Sequence, residues 1–174
     1  MSPRYWLGLG ANLGDRRAAL EAALAWLERA GHRVEAVSPA YETAPREVAD
    51  QPAFLNAAAR VSSPLRPDAL LAEVKRMEGE LGRDPDGLRY GPRAIDCDLL
   101  LWEGGAWSGP GLEIPHPRLA ERRFALLPLL DLDPGLSLPD GRRLADLAAA
   151  IDAVEQPADR LHTPLARPPG GAGG

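Results

Sequence analysis

Two hydrophobic rhythms alternate along the chain. Tyr5 to Gly10 and Phe54 to Ser62 are short apolar runs of the kind that form strands, whereas Leu20, Ala23, Leu24 and Leu27 recur at the three-and-four spacing of a helix face. Gly31 is placed to end that helix. Arg33 to Tyr41 reads as one strand, and Glu42 to Pro52, with Pro45 and Pro52, as a loop. Pro67 suits the first position of a second helix, whose apolar stripe is Leu70, Val74, Met77 and Leu81 and whose end is Gly82. After a loop from Arg83 to Arg93, Ile95 to Leu101 reads as a strand, followed by a hairpin turn at Gly104-Gly105. Arg118 to Leu130 is expected to be helical but interrupted at Pro128, and Arg143 to Ile151 to form a final helix after the Asp140-Gly141 turn.

Strand, helix, strand, strand, helix, strand is a βαββαβ order. It predicts an α+β fold: a ferredoxin-like antiparallel sheet with helices packed on it, in a three-layer α/β/α arrangement with additions. The 174 residues suit one domain, expected over 1–163, with a Pro/Gly-rich tail over 164–174 that is expected to be disordered. No internal repeat interrupts this plan.

One strand carries chemistry that a core strand has no need of. Asp96 and Asp98 are two residues apart in Gly91-Pro92-Arg93-Ala94-Ile95-Asp96-Cys97-Asp98-Leu99-Leu100-Leu101. Side chains alternate along a strand, so the two carboxylates share one face, about 6–7 Å apart, while Ile95, Cys97, Leu99 and Leu101 face the core. Hard oxygen donors at that spacing suit divalent cations. Of the 20 basic residues 19 are arginine, and six of these fall between Arg83 and Arg123, close in sequence to the acids. Most surface arginines need no special role, but arginine is also the residue for bidentate phosphate contact. Metals with arginines describe a polyphosphate site.

Other features are weighed against plainer roles. His116, framed by Pro115 and Pro117, is as compatible with a structural role as with donation to phosphate. Gly8-Leu9-Gly10-Ala11-Asn12-Leu13-Gly14 has GxGxxxG spacing and is better read as a tight strand-to-helix turn than as a dinucleotide fingerprint. Spacing alone favours core positions for Phe54 and Phe124, whereas Tyr90 lies in a polar loop. Cys97 is the single cysteine, which excludes an intrachain disulfide and a cysteine metal cage; it reads as a small apolar core residue. The net charge of −5 disfavours a nucleic-acid backbone as partner, and a nuclease with it. The N-terminus has no long apolar run, so a cytoplasmic protein is expected, and nothing demands an obligate dimer. A metabolite-binding module without turnover and another Mg²⁺-dependent nucleotidyl or phosphoryl transferase stay open at this point.

The motifs narrow these choices. Gly10-Ala11-Asn12-Leu13-Gly14-Asp15, Tyr41-Glu42-Thr43, Asp50-Gln51-Pro52-Ala53-Phe54-Leu55-Asn56-Ala57, Arg89-Tyr90-Gly91-Pro92-Arg93-Ala94-Ile95-Asp96-Cys97-Asp98 and Ile114-Pro115-His116-Pro117-Arg118-Leu119 follow one another in a known order. The chain resembles the 6-hydroxymethyl-7,8-dihydropterin pyrophosphokinases over roughly residues 4 to 150, and GPR-x-x-D-x-D with a downstream PHP-R is its most specific part. The resemblance implies transfer of pyrophosphate from ATP to the pterin hydroxymethyl group, with release of AMP, in folate biosynthesis. It implies two Mg²⁺ ions held by Asp96 and Asp98, with Arg83 and Arg93 also in the catalytic set. Glu78, Arg83, Arg89, Arg93, Leu99, His116 and Arg122 would be ATP-side positions. Thr43, Ala44, Phe54, Asn56, Tyr90 and Phe124 would be pterin-side positions. Loops near Glu47 and from Asp84 to Tyr90 would close over the substrates. Ala44, Arg46, Pro85, Tyr90 and Cys97 depart from the family pattern without removing a metal ligand or Phe124.

Overall fold

A computed structural model describes residues 2–43, 53–82 and 94–168. The elements run β1 (Arg4–Ala11), α1 (Arg16–Arg29), β2 (Arg33–Val37), β3 (Tyr41–Thr43), β4 (Phe54–Ser62), α2 (Pro67–Leu81), β5 (Asp96–Trp102), β6 (Trp107–Gly109), β7 (Leu112–Ile114), α3 (Arg123–Leu132), α4 (Leu144–Ala150) and β8 (Ala158–Arg160). A single 3₁₀ turn, Leu119–Glu121, precedes α3. None of these helices is long and apolar enough to cross a membrane.

Local chemistry sets the helix ends. The Asp15 carboxylate accepts from the Ala18 N–H at 3.0 Å and caps α1, and Gly31 takes φ +97°, a conformation other residues rarely adopt. Pro67 occupies the first turn of α2, where its missing N–H costs nothing, and the Gly82 N–H closes the helix on the Glu78 carbonyl.

The main sheet is antiparallel, in the order β5-β1-β4, with β2 and β3 both pairing to the far edge of β4. This is the expected ferredoxin-like arrangement, with two differences. The segment from Arg33 to Tyr41 is not one strand: β2 and β3 lie end to end along β4, separated by Ser38-Pro39-Ala40. Pro39 cannot donate to a ladder. Ser38 bridges the break, its N–H donating to the Ala58 carbonyl and its hydroxyl accepting from the Ala58 N–H, both at 2.8 Å. The second difference is β8, which adds a further strand on the outer edge of β3.

Each face of the sheet is covered. Tyr5, Leu7 and Leu9 of β1, Leu55, Ala57 and Val61 of β4, and Cys97 and Leu99 of β5 pack against Leu20, Leu24 and Leu27 of α1 and Leu70, Val74 and Met77 of α2. On the other face Ala58, Leu100 and Leu101 meet Leu126 and Leu129 of α3 and Leu144 of α4. Leu101 therefore does not share the face of Leu99. The pairing of β1 with β5 shifts between Trp6 and Leu7, and the extra residue turns Leu101 toward α3.

Three further expectations are adjusted. The turn expected at Gly104-Gly105 lies one residue earlier, at Glu103-Gly104, and closes on an antiparallel bridge from Trp102 to Gly105; a second hairpin, β6 to β7, pairs Gly109 with Leu112. Pro128 does not interrupt α3 but lies inside it; burial of Leu126 and Leu129 holds the helix despite the lost N–H. Packing also continues past residue 163. Leu165 is 6% exposed and joins the α1/α2 core, and Arg167 donates to the carbonyls of Val34 and Glu35.

Candidate active site

The face of the sheet that α3 covers is only partly covered. Opposed residues on antiparallel strands share a face, so the pairings give two rows across it. One row is Asp98, Gly8 and Ala58; the next is Asp96, Gly10, Asn56 and Tyr41. Both carboxylates are exposed, and both lie opposite a glycine. A Cβ on Gly10 would stand 2.8 Å from Asn56 Oδ1, and one on Gly8 would stand 2.9 Å from Leu100 Cδ1. Glycine on β1 thus makes room for the Leu100 and Asn56 side chains beside the acids. Gly8 and Gly10 are strand residues, and of that glycine motif only Gly14, at φ +56°, serves the turn.

Asn56 is buried and its amide donates to the Thr43 hydroxyl at 2.7 Å. The bond fixes the amide orientation and leaves its oxygen directed toward the Gly10 side. Phe54 pairs with Thr43 and is half-buried on the same face. Beyond them the Tyr41 hydroxyl donates to Asp131, and Trp6 Nε1 donates to Asp133 at 2.8 Å, docking the C-terminal half of α3 on the sheet.

On the other side of Asp98 lies a cleft of about 490 Å³ between α2, β5 and the β6–β7 hairpin. Asp98, Leu99 and His116 line it, with Lys75, Ser108 and Glu113. Its size is that of a small-ligand site. The His116 N–H is held by the Leu100 carbonyl at 3.0 Å, and its Nδ1 accepts from the Arg118 N–H at 3.1 Å. A neutral imidazole that accepts at Nδ1 carries its proton on Nε2. Burial lowers the His116 pKa, Asp98 opposes that shift, and Arg122 and Arg118 reinforce it. Arg122 in turn stacks its guanidinium over Phe124, 5.6 Å from the ring centroid.

Asp96, Asp98, His116, Arg122 and Phe124 are therefore gathered at one end of the sheet, with Asn56, Thr43 and Phe54 along the same face. Leu99 lines the cleft although it is 2% exposed. Glu78 is differently employed: 7% exposed, it accepts from the Cys97 N–H at 3.2 Å and pairs with Lys75 at 3.1 Å, binding α2 to the carboxylate strand. Cys97 is buried, and desolvation pushes its thiol well above the usual range, as a core residue requires. Arg83, Arg89, Arg93, Ala44 and Tyr90, and the loops near Glu47 and from Asp84 to Tyr90, lie outside the described residues. Lys75 and Glu113 escaped the sequence reading. Lys75 was detectable as the sole lysine, three residues before Glu78 on the helix face beside β5; Glu113 carried no signal.

Residues 6–134 match the family model for 7,8-dihydro-6-hydroxymethylpterin-pyrophosphokinase (HPPK). A 2-amino-4-hydroxy-6-hydroxymethyldihydropteridine pyrophosphokinase of Pseudomonas aeruginosa is 44% identical over 151 residues, 86% of this chain and 93% of the relative. The enzyme of the same name from Bacillus subtilis is 41% identical over 128 residues, covering 73% and 76%. A mitochondrial folate synthesis bifunctional protein of Pisum sativum is 44% identical over 126 residues, 72% of this chain but 24% of that one. A crystal structure of Plasmodium falciparum HPPK-DHPS superposes with a TM-score of 0.68 at 16% identity, covering 86% of this chain and 45% of that chain, which shows a shared fold.

Proposed function

Because the chain belongs to the 7,8-dihydro-6-hydroxymethylpterin-pyrophosphokinase family, we propose that its catalytic centre is the end of the sheet around Asp96 and Asp98. The reaction is the transfer of pyrophosphate from ATP to the hydroxymethyl group of 6-hydroxymethyl-7,8-dihydropterin, in folate biosynthesis. The pterin hydroxyl oxygen attacks the β-phosphorus and gives up its proton to solvent, the bond from that phosphorus to the α,β-bridging oxygen breaks, and AMP leaves with the bridging oxygen.

The observation that supports this placement is the position of the two carboxylates between the α2–β5 cleft and the row of the sheet that runs through Gly10 to Asn56. On the side of Asp98 the cleft lined by Leu99, Lys75 and His116 accepts the nucleotide. On the side of Asp96 the row through Gly10 leads to Asn56, whose amide hydrogen-bonds the polar edge of the pterin. Thr43 fixes that amide, and Phe54 and Phe124 border the flat ring system. The two substrates so placed present the hydroxymethyl group and the triphosphate to each other at the acids.

The donor set also fits Mg²⁺. Two exposed carboxylates on one strand face are hard oxygen ligands, and their exposure leaves room for the waters and phosphate oxygens that Mg²⁺ retains. Asp96 and Asp98 would hold two such ions, which when bound neutralise the triphosphate and align its β-phosphorus. His116 contributes a neutral Nε2–H donor to phosphate oxygen, and Arg122 a permanent positive charge. Arg83 and Arg93 complete the catalytic set, and Arg89 and Glu78 the nucleotide side; Ala44 and Tyr90 belong to the pterin side. The enzyme acts under this reading as a cytoplasmic monomer of one domain.

The test is a product assay with ATP, Mg²⁺ and the pterin, resolved for AMP and ADP. AMP that requires both pterin and metal is expected. ADP in its place would mean ordinary γ-phosphoryl transfer, and neither product from folded protein would mean a binding module.

A further inference from the structure

The family match ends at residue 134, but the chain beyond it returns to the site. α3 begins at Arg123 with no side-chain cap from its own leading residue, Arg122. The first N–H groups of a helix need partners from elsewhere. Gln156, distant in sequence, supplies one: its Oε1 accepts from the Arg123 N–H at 3.0 Å. Its Nε2 donates to the Glu121 carbonyl at 2.9 Å. One primary amide thus bridges the backbone immediately before and immediately after Arg122. The Arg123 guanidinium completes the clamp by donating to the Gln156 carbonyl at 3.1 Å.

Gln156 is itself anchored on both sides. Its N–H donates to the Asp152 carbonyl at 3.0 Å. Two residues later β8 begins, pairing Ala158 with Thr43. The same short segment therefore touches the start of α3 and the strand that orients Asn56. Arg122 and Phe124, the two side chains presented by the clamped backbone, stack on each other.

We propose that Gln156 is a positioning residue for this reaction: its side-chain amide sets the angle at which Arg122 and Phe124 enter the site. The inference rests on the site reading above, in which those two residues meet substrate. Only an amide satisfies both bonds, since Oε1 must accept and Nε2 must donate. Gln156 is half-exposed, so its loss perturbs the placement of its neighbours more than the core.

The experiment compares Gln156→Ala, Gln156→Glu, Arg122→Ala and Phe124→Ala for both KM values, kcat and thermal midpoint. Gln156→Ala is expected to raise KM for one or both substrates about three- to tenfold, the equivalent of one or two lost hydrogen bonds. Its thermal midpoint is expected to stay within about 3 °C of the parent. Gln156→Glu keeps an acceptor for the Arg123 N–H and is expected to recover part of the affinity. A midpoint that falls while both KM values and kcat at 25 °C stay unchanged would reduce Gln156 to a structural residue and overturn the proposal. Unchanged kinetics in Gln156→Ala, with KM raised in Arg122→Ala or Phe124→Ala, would overturn it while leaving the site reading standing. Unchanged kinetics in Arg122→Ala and Phe124→Ala would overturn the reading of α3 and this proposal together.

Discussion

Single atoms decide the state of the carboxylate face. Gly10→Ala would place a methyl group 2.8 Å from Asn56 Oδ1, and Asn56, being buried and bonded to Thr43, has little room to move. The variant is expected to lose about 1–3 kcal/mol of stability by denaturant titration, and to bind pterin more weakly than ATP by comparison of the two KM values. Asp96→Ala and Asp98→Ala remove exposed groups, so the fold is expected to survive while turnover falls by about a thousandfold or more in the AMP assay. Normal turnover in both would end the assignment. The two acids were legible as candidates because carboxylates in a strand of Ile, Cys and Leu have no structural reason to be there. The glycines were not legible as their cross-strand partners. Their role depends on which strands flank β1, a long-range pairing that β1's own sequence does not carry.

At the scale of elements, periodicity served where burial was one-sided and failed where tertiary contact overrode local preference. α1, α2 and β4 appear where their apolar spacing puts them. The broken edge strand did not, because apolar Val34 and Val37 continue to Ala40 and Tyr41 and disguise the step at Pro39. Ser38 is 2% exposed and joins the two pieces, so Ser38→Ala leaves the Ala58 N–H buried without its hydroxyl partner. The expected cost is about 1–3 kcal/mol, read from the shift in urea midpoint at constant slope. A loss under about 0.5 kcal/mol would mean that the two pieces do not depend on this joint. Pro128 misled for the opposite reason: its missing hydrogen bond is a local penalty, set against two leucines of α3 that are fully buried.

The whole molecule adds a dependence on pH and on its own C-terminal segment. His32 is 3% exposed, with Nδ1 bonded to the Ser63 hydroxyl at 2.9 Å and Nε2 4.0 Å from Glu73. Burial lowers its pKa below 6.5, with Glu73 opposing. The unfolded chain therefore takes up a proton more readily than the folded one. Stability is complete above the ordinary histidine range and declines as pH falls from 6.5 toward the lowered value. Thermal midpoints across pH 5 to 8 are expected to drop on the acid side, and less steeply in a His32→Gln variant. Truncation after residue 163 removes Leu165 from the core and the Arg167 bonds to β2. It is expected to lower stability by about 1.5–3 kcal/mol, measured by denaturant unfolding. The Pro- and Gly-rich composition hid this packing, because one leucine among such residues has no periodicity to reveal it.

The glycines of β1 have a further consequence. At Gly8 and Gly10 the strand contributes hydrogen where its neighbours contribute side chains, and those side chains take up the space: Leu100 leans over Gly8, and Asn56 over Gly10, which is itself buried. The strand is a trough that its two partners fill, so a side chain added there would push on β4 and β5 rather than occupy a void.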